Sequence, residues 1–350
     1  MSPPELLTHA IDMLANREDL SLEQSAAVLG EIMVGEASEI QIAAFLIALR
    51  TKGETTAELA GLARAMRELA APVSTAAVNL LDTAGTGGGR RTFNVSTTAA
   101  LIAAGAGCTV AKHGNRSATG LSGSADVLEA LGARIDLRSE DVARCIESVG
   151  FGFMFAPAHH QATRYVIPVR RGLGVRTIFN FLGPLTNPAG ARRQLIGVSD
   201  PAYLETMAGA LALLGTDHAL LVSSHDGLDE LSISAPTDVL EVTGEAITRS
   251  VVVPEELGLT RAPPEAIPGG DPAENATITR RILDGQLDRG DAARGLAVLN
   301  AGAAIYAGGA SDDLEAGVRA AELAIDSGAA ADTLARFVTL TRELAAQVTR

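Results

Sequence analysis

The chain has 350 residues, enough for one large domain or two of ordinary size, and 47% of them are hydrophobic, so a sizeable core can form. Aromatic residues make up only 3% and tryptophan is absent, which leaves Ala, Leu, Ile and Val to build that core. With 42 acidic residues against 28 basic ones the net charge is −14, which argues against a broad nucleic-acid or anionic-membrane surface, and no apolar run reaches the ~18 residues of a membrane span.

The N-terminal stretch MSPPELLTHAIDMLANRED lacks a basic start and an apolar block. No signal peptide is expected, and a cytoplasmic protein is. The first 70 residues read as helices. SLEQSAAVLGEIM opens with Ser21 and has Gln24 three residues on, the spacing of a capping box. SEIQIAAFLIALRTKG repeats it with Ser38 and Gln41, and Gly53 is a helix stop. Thr55 and Glu58 open a fourth helix, AELAGLARAMRELA, and Pro72 marks a break.

After Pro72 short apolar strands alternate with helices, the pattern of a mostly parallel α/β sheet. AVNLLDTA precedes STTAALIAAGAG, and CTVAKHG precedes SADVLEALGARI and DVARCIESVG. The segment APAHHQATRYVIPVRRGLGVRTIFNFLGPLTNPAG predicts short helices joined by tight turns, crossing back to the helical part with GPLTNP as a hinge. RQLIGVS, YLETMAGALALLG and HALLVSSHDG resume the alternation, and VLEVTG with ITRSVVV predicts a hairpin. The last 75 residues return to helices. The expected division is a helical domain over 1–72, with 164–190 packing back on it, and an α/β domain over 73–163 and 191–350. Cys108 and Cys145 offer neither metal-ligand spacing nor a disulfide framework and are expected as core thiols.

The acids are unevenly placed. The 43 residues from Thr83 to Ala125 contain none, but include Arg90, Arg91, Lys112 and Arg116. The 49 residues from Phe151 to Ser199 also contain none, but include Arg164, Arg170, Arg171, Arg176, Arg192 and Arg193. Two locally positive tracts in an acidic chain point to a focused site for an anionic ligand, the alternative being core segments that exclude acids.

DTAGTGGGRRTFNVST places a glycine turn at a strand end. Bare residues let backbone N–H groups approach a phosphate closely, and the helix starting near Ser96 aims its N-terminus at the same place. It is neither a Walker loop nor a dinucleotide fingerprint. AKHGNRSATGLSGSAD brings Lys112, His113, Asn115 and Arg116 to the next strand end, with a second small-residue helix start at Ser124. Two adjacent strand ends with anion-binding chemistry favour one large anion over two solvated loops. HDGLDEL sets Asp226, Asp229 and Glu230 after an apolar run, and carboxylates there suit Mg²⁺, an acidic surface turn being the alternative.

GTGG…TFNVST, KHGNR…SGSADVLEALG, RTIFNFLGPLTNP and DGLDEL together resemble the anthranilate phosphoribosyltransferase family over nearly the whole chain. The resemblance implies a small helical domain beside a larger α/β domain with a mostly parallel sheet, of the nucleoside phosphorylase/phosphoribosyltransferase kind. It implies transfer of a phosphoribosyl group from phosphoribosyl pyrophosphate (PRPP) to anthranilate in tryptophan synthesis, with Mg²⁺, two ions per subunit, and a homodimer formed through the N-terminal helices. It assigns PRPP to Gly85, Thr86, Gly87, Gly88, Thr92, Asn94, Ser96, Thr97, Lys112 and Ser124. It assigns anthranilate to Gly85, His113, Asn115, His160, Arg170, Gly183 and Pro184, and magnesium to Ser96, Asp229 and Glu230. No catalytic nucleophile is implied, and no nucleic-acid or membrane partner.

The family usually carries Asp where this chain has Gly89, which leaves the usual carboxylate contact open. Arg90 and Arg91 are expected as exposed loop arginines or as phosphate contacts. Of His159 and His160 one is expected at the surface, and Arg176 is expected as structural. Pyrimidine nucleoside phosphorylases share the architecture but lack KHGNR combined with GPLTNP and DGLDE. A catalytically idle relative that binds nucleic acid should be basic and should lack Arg170 or the Asp229–Glu230 pair.

Overall fold

The computed structural model describes residues 5–117, 120–267 and 269–348. Four helices come first: α1 (Glu5–Ala15), α2 (Leu22–Met33), α3 (Glu39–Lys52) and α4 (Thr56–Glu68). The last three start with the predicted reciprocal caps, Ser21 with Gln24, Ser38 with Gln41 and Thr55 with Glu58. Each box satisfies two of the amide groups that a helix start leaves without partners.

The α/β region follows as β1 (Leu81–Gly85), α5 (Val95–Gly105), β2 (Val110–Gly114), α6 (Ser124–Ala130), α7 (Ser139–Val149) and β3 (Phe151–Phe155). A chain of short helices, α8 (Ala156–His159), α9 (Ile167–Leu173) and α10 (Phe179–Leu182), leads with 3₁₀ turns to β4 (Arg193–Gly197). Then come α11 (Leu204–Leu213), β5 (His218–Ser224), β6 (Thr237–Thr243) and β7 (Ala246–Val252). The chain closes with α12 (Pro272–Leu283), α13 (Ala292–Gly308), α14 (Leu314–Asp326) and α15 (Ala329–Val348).

The seven strands form one sheet in the order β3-β2-β1-β4-β5-β6-β7. The pairs from β3 to β5 are parallel, and β5-β6-β7 is antiparallel, β6 and β7 being the predicted hairpin. Side chains alternate across the sheet, so Leu195, Leu220 and Val222 join one core while Ile196, Ala219 and Leu221 join the other. The first core packs α5, α7 and α12–α15 on one face. The second joins α1–α4, α9, α10 and α11 to the opposite face.

The strand order reverses at β1: β2 and β3 lie on one side of it, β4 and β5 on the other. In a parallel sheet that reversal opens a crevice beyond the carboxyl ends of the two strands at the switch, here Gly85 and Gly197, which are register partners.

Candidate active site

The glycine turn leaves β1 where the strand emerges from the core, with Leu81, Asp82 and Thr83 buried and Gly85 exposed. Gly88 has φ +91, a left-handed conformation that side chains rarely adopt, and a Cβ there would sit 2.7 Å from Arg176 Nη1. Thr86 is tied down: its N–H donates to the Gly197 carbonyl at 2.8 Å, and its Oγ1 accepts from the Ser199 N–H at 3.0 Å. Asn94, at the start of α5, donates to Ser122 O and accepts from Ser122 Oγ and Asn275 Nδ2, which ties this turn to the one before α6. Thr92 Oγ1 donates to the Phe93 carbonyl. Thr97 Oγ1, one residue past Ser96, is buried without a partner among the described residues.

Lys112 lies beneath this turn. Its side chain is only 1% exposed, and its Nζ donates to Thr83 O, to Thr83 Oγ1 at 3.1 Å and to Ser96 Oγ at 3.4 Å. A buried lysine needs anionic company. Burial pulls its pKa down to about 8, against the opposing pull of Asp82 and Glu230.

Asp82 is wholly buried, accepting from the His113 N–H at 3.0 Å and from Asn187 Nδ2 at 2.8 Å. Burial pushes its carboxyl up to about 6, although Lys112 and Asn187 stabilise the charge. Asn187 Nδ2 also donates to the Ala111 carbonyl at 2.8 Å, so this one amide clamps β1 and β2 to the turn that precedes β4.

His113 and His160 face each other with ring centroids 5.0 Å apart. Burial drives His113 down to about 3 and His160 down to about 4, so both imidazoles are neutral at pH 7. His160 Nε2 is bonded to the Thr186 carbonyl, whereas His113 Nε2 has no partner among the described residues. The expectation that one of His159 and His160 is a surface residue is corrected: His159 is 3% exposed and its ring bonds the Ala71 carbonyl. Gly183 and Pro184 form a 3₁₀ turn at the same wall. Arg170 is half-buried on α9, 5.6 Å from the centre of the Phe179 ring, and makes no ion pair among the described residues, while Arg171 is exposed. Asn115 Oδ1 accepts from the Arg116 N–H, and Arg116 itself turns away to Asp126 and Glu129. Ser124 is the first residue of α6 and packs beside Gly114.

The carboxylate turn after β5 closes the crevice. A Cβ on Gly197 would lie 1.7 Å from the Asp229 carbonyl oxygen, so the bare strand end is a seat for that turn. The same holds for Gly89, where a Cβ would come within 2.3 Å of Asp229 Oδ1. Gly89 is thus packed against Asp229, and a side chain there would have to displace the 226–230 turn. Burial raises the pKa of Asp229, opposed by the Gly87 amide and Arg176. Burial, and then repulsion from Asp229, raises that of Glu230, opposed by Lys112 and the Ser96 amide. A divalent cation would relieve that repulsion. Among the described residues no three His, Cys, Asp or Glu side chains converge on one metal position. Two carboxylates match Mg²⁺, which takes one or two from protein and the rest from water and substrate phosphates, so the residues present fit this ion.

Several contributors were not read from the sequence. Arg176 donates to the Gly87 carbonyl at 3.3 Å and to Ser199 Oγ at 2.9 Å, contacts that fit the structural place expected of it and that bind the glycine turn to the end of β4. Arg90 is not the exposed loop arginine expected: its side chain is 23% exposed and pairs with Asp226, whereas Arg91 is exposed as predicted. Gly197, Asp82 and Asn187 also contribute without a sequence signal of their own, the glycine within IGVS being the one local hint.

Residues 8–70 match the model for the helical bundle domain of a glycosyl transferase family, and residues 77–331 match that family's a/b domain. The anthranilate phosphoribosyltransferase of Chloroflexus aggregans is 52% identical over 338 residues, covering 96% of this chain and 98% of the relative. A crystal structure of anthranilate phosphoribosyltransferase from Thermus thermophilus superposes with a TM-score of 0.90 at 45% identity, covering 95% of this chain and 99% of that one. The Saccharomyces cerevisiae enzyme in complex with PRPP and Mg superposes with a TM-score of 0.87 at 27% identity, covering 97% and 98%. Sequence identity and superposition both extend over nearly the whole chain, and the chain belongs to the anthranilate phosphoribosyltransferase family.

Proposed function

We propose that this chain transfers the 5-phosphoribosyl group from PRPP to the amine of anthranilate, giving N-(5-phosphoribosyl)anthranilate and pyrophosphate, a step of tryptophan biosynthesis. The observation that carries the reading is Lys112, a lysine 1% exposed beneath a glycine turn at the sheet's switch point, close enough to Glu230 for the two charges to act on each other. The 85–88 turn, Asn94, Ser96, Thr97, Lys112 and Ser124 hold the diphosphate and phosphoribose. The α5 N-terminus and Lys112 offset charge as it gathers on the leaving oxygen.

The bond from the ribose carbon to the diphosphate oxygen breaks as the bond from the amine nitrogen forms, and the nitrogen then gives up one proton. The anthranilate amine is already neutral at pH 7, so the reaction needs positioning more than a strong base. Neutral His113 and His160, with Asn115, Gly183 and Pro184, line the acceptor pocket. Arg170, which makes no ion pair among the described residues, receives the acceptor's carboxylate in two parallel hydrogen bonds. Asp229, Glu230 and Ser96 would hold Mg²⁺, two ions in this reading, which would neutralise diphosphate charge.

Residues 1–72 with 164–190 are the unit we take to close over the rest and exclude water from the activated sugar. A cytoplasmic homodimer completes the reading. Leu6, Val34 and Ile40 are exposed on and around the N-terminal helices, which suits a partner surface, and the thiols of Cys108 and Cys145 are free and buried. Among the described residues no helix is long and apolar enough to cross a membrane.

The test is a steady-state assay with anthranilate, PRPP and Mg²⁺, followed by loss of anthranilate fluorescence. The wild type turns over, and Asp229→Ala with Glu230→Ala abolishes turnover. An inactive wild type that instead cleaves a pyrimidine nucleoside with phosphate would overturn the reading.

A further inference from the structure

Arg90 follows the glycine turn, yet its polar contacts are all with the far side of the crevice. Its N–H donates to the Gly227 carbonyl at 2.9 Å. Its Nη1 donates to the Pro264 carbonyl at 3.0 Å, and its Nη2 to Asp226 Oδ2 at 3.2 Å. Asp226 is the hub of the carboxylate turn: its Oδ1 accepts from Ser224 Oγ at 2.7 Å and the Leu228 N–H at 3.3 Å, and its Oδ2 from Ser232 Oγ at 2.9 Å. The next residue but two is Asp229, whose carboxylate and N–H lie against Gly89, the neighbour of Arg90. Both terminal nitrogens of the guanidinium are thus bonded to protein oxygens at the seam between two turns that sequence separates by 136 residues, while its Nε is buried without a partner among the described residues. A planar guanidinium presents its donors from separate nitrogens in a fixed fork, whereas a lysine ammonium offers them from one point, so the fork spans the Pro264 carbonyl and the Asp226 carboxylate in a defined geometry.

We propose that Arg90 is a positioning residue that docks the 226–230 turn onto the 85–89 turn, so that Asp229 and Glu230 stand at the diphosphate end of the site before substrate arrives. The proposal rests on the functional reading above and gives Arg90 no contact with substrate. Ligands held in a fixed array lose less freedom on binding, so undocking the turns weakens the diphosphate and cation end and leaves the acceptor end alone.

The test compares Arg90→Ala, Arg90→Lys and Asp226→Asn. Docking predicts that Arg90→Ala and Asp226→Asn each raise the PRPP KM and the Mg²⁺ half-saturation about 5- to 30-fold, with the anthranilate KM within about twofold and Arg90→Lys in between. The double variant is no worse than the worse single one, since both remove the same contact. Calorimetric titration of PRPP with Mg²⁺ into each protein shows the same loss without turnover. If Arg90 met a phosphate directly, Asp226→Asn would leave PRPP binding unchanged, and that result overturns the proposal. So does an Arg90→Ala variant within twofold of wild type, or one whose two substrate KM values rise together. Should Arg90→Ala fail to fold, Arg90→Lys and Asp226→Asn carry the same outcomes. A wild type that binds no PRPP refutes the functional reading, whereas normal wild-type kinetics with unaffected variants refute only the docking.

Discussion

Lys112 and Arg170 show how a cationic side chain answers to its surroundings. Among the described residues each is a cation without a carboxylate bonded to it, the one sealed under a turn, the other half-open on a short helix. Removing a bidentate charge-assisted pair costs about 1.5–3 kcal/mol, so Arg170→Ala should raise the anthranilate KM roughly 10- to 100-fold and move the PRPP KM less than about twofold. Initial rates over both substrates check this. Burial lowers Lys112 to about 8, and above that pH it loses the charge that attracts phosphate. The PRPP KM should therefore be flat below neutrality and rise above about pH 8, and Lys112→Met should start higher and lose that rise. A third expectation concerns Gly89. Because a Cβ would meet Asp229 Oδ1 at 2.3 Å, Gly89→Asp should weaken PRPP binding rather than restore it, as calorimetry would show.

At the scale of elements, what could be read from the sequence was local. The caps of α2, α3 and α4 need two residues three apart, and all three were legible. Replacing Ser38 by Ala should cost about 1 kcal/mol and lower the melting temperature with the kinetics unchanged. The β6–β7 hairpin was legible too, because its strands join through two residues. β3 was not among the predicted strands: Phe151–Phe155 is a short apolar run broken by Gly152, with no alternation to count. The glycine turn and the Lys112 loop could be read because their chemistry is contiguous. Arg176 reaches Gly87 across 89 residues and Asn187 reaches Asp82 across 105, contacts that only the folded sheet creates.

Over the whole molecule, buried polar groups at the seam between the two cores set the response to pH. The carbonyls of the 183–186 turn accept from Gln194, Arg67 and His160, so the segment expected as a hinge is a bonded junction. His113 and His160 titrate below their ordinary 6.5 because burial penalises the charged ring. The unfolded chain takes up those protons first, so the stability that both contribute above pH 6.5 is lost as pH falls towards 4. Asp82, raised to about 6, works in the opposite sense between about pH 6 and 4 and offsets part of the loss. Glu230, raised to about 8, and Asp229, also raised, act in the same sense as Asp82, so the test is a difference: relative to wild type, His160→Gln should gain melting temperature as pH falls from 6.5 towards 4.

The central claim is that the switch point between β1 and β4 receives a diphosphate, and a crystal soaked with PRPP and Mg²⁺ tests it most directly. The account predicts the diphosphate among the 85–88 turn, Lys112 and the α5 N-terminus, with Asp229 and Glu230 facing it through the cation. A diphosphate bound elsewhere, with the Gly85 and Lys112 loops untouched, would contradict it.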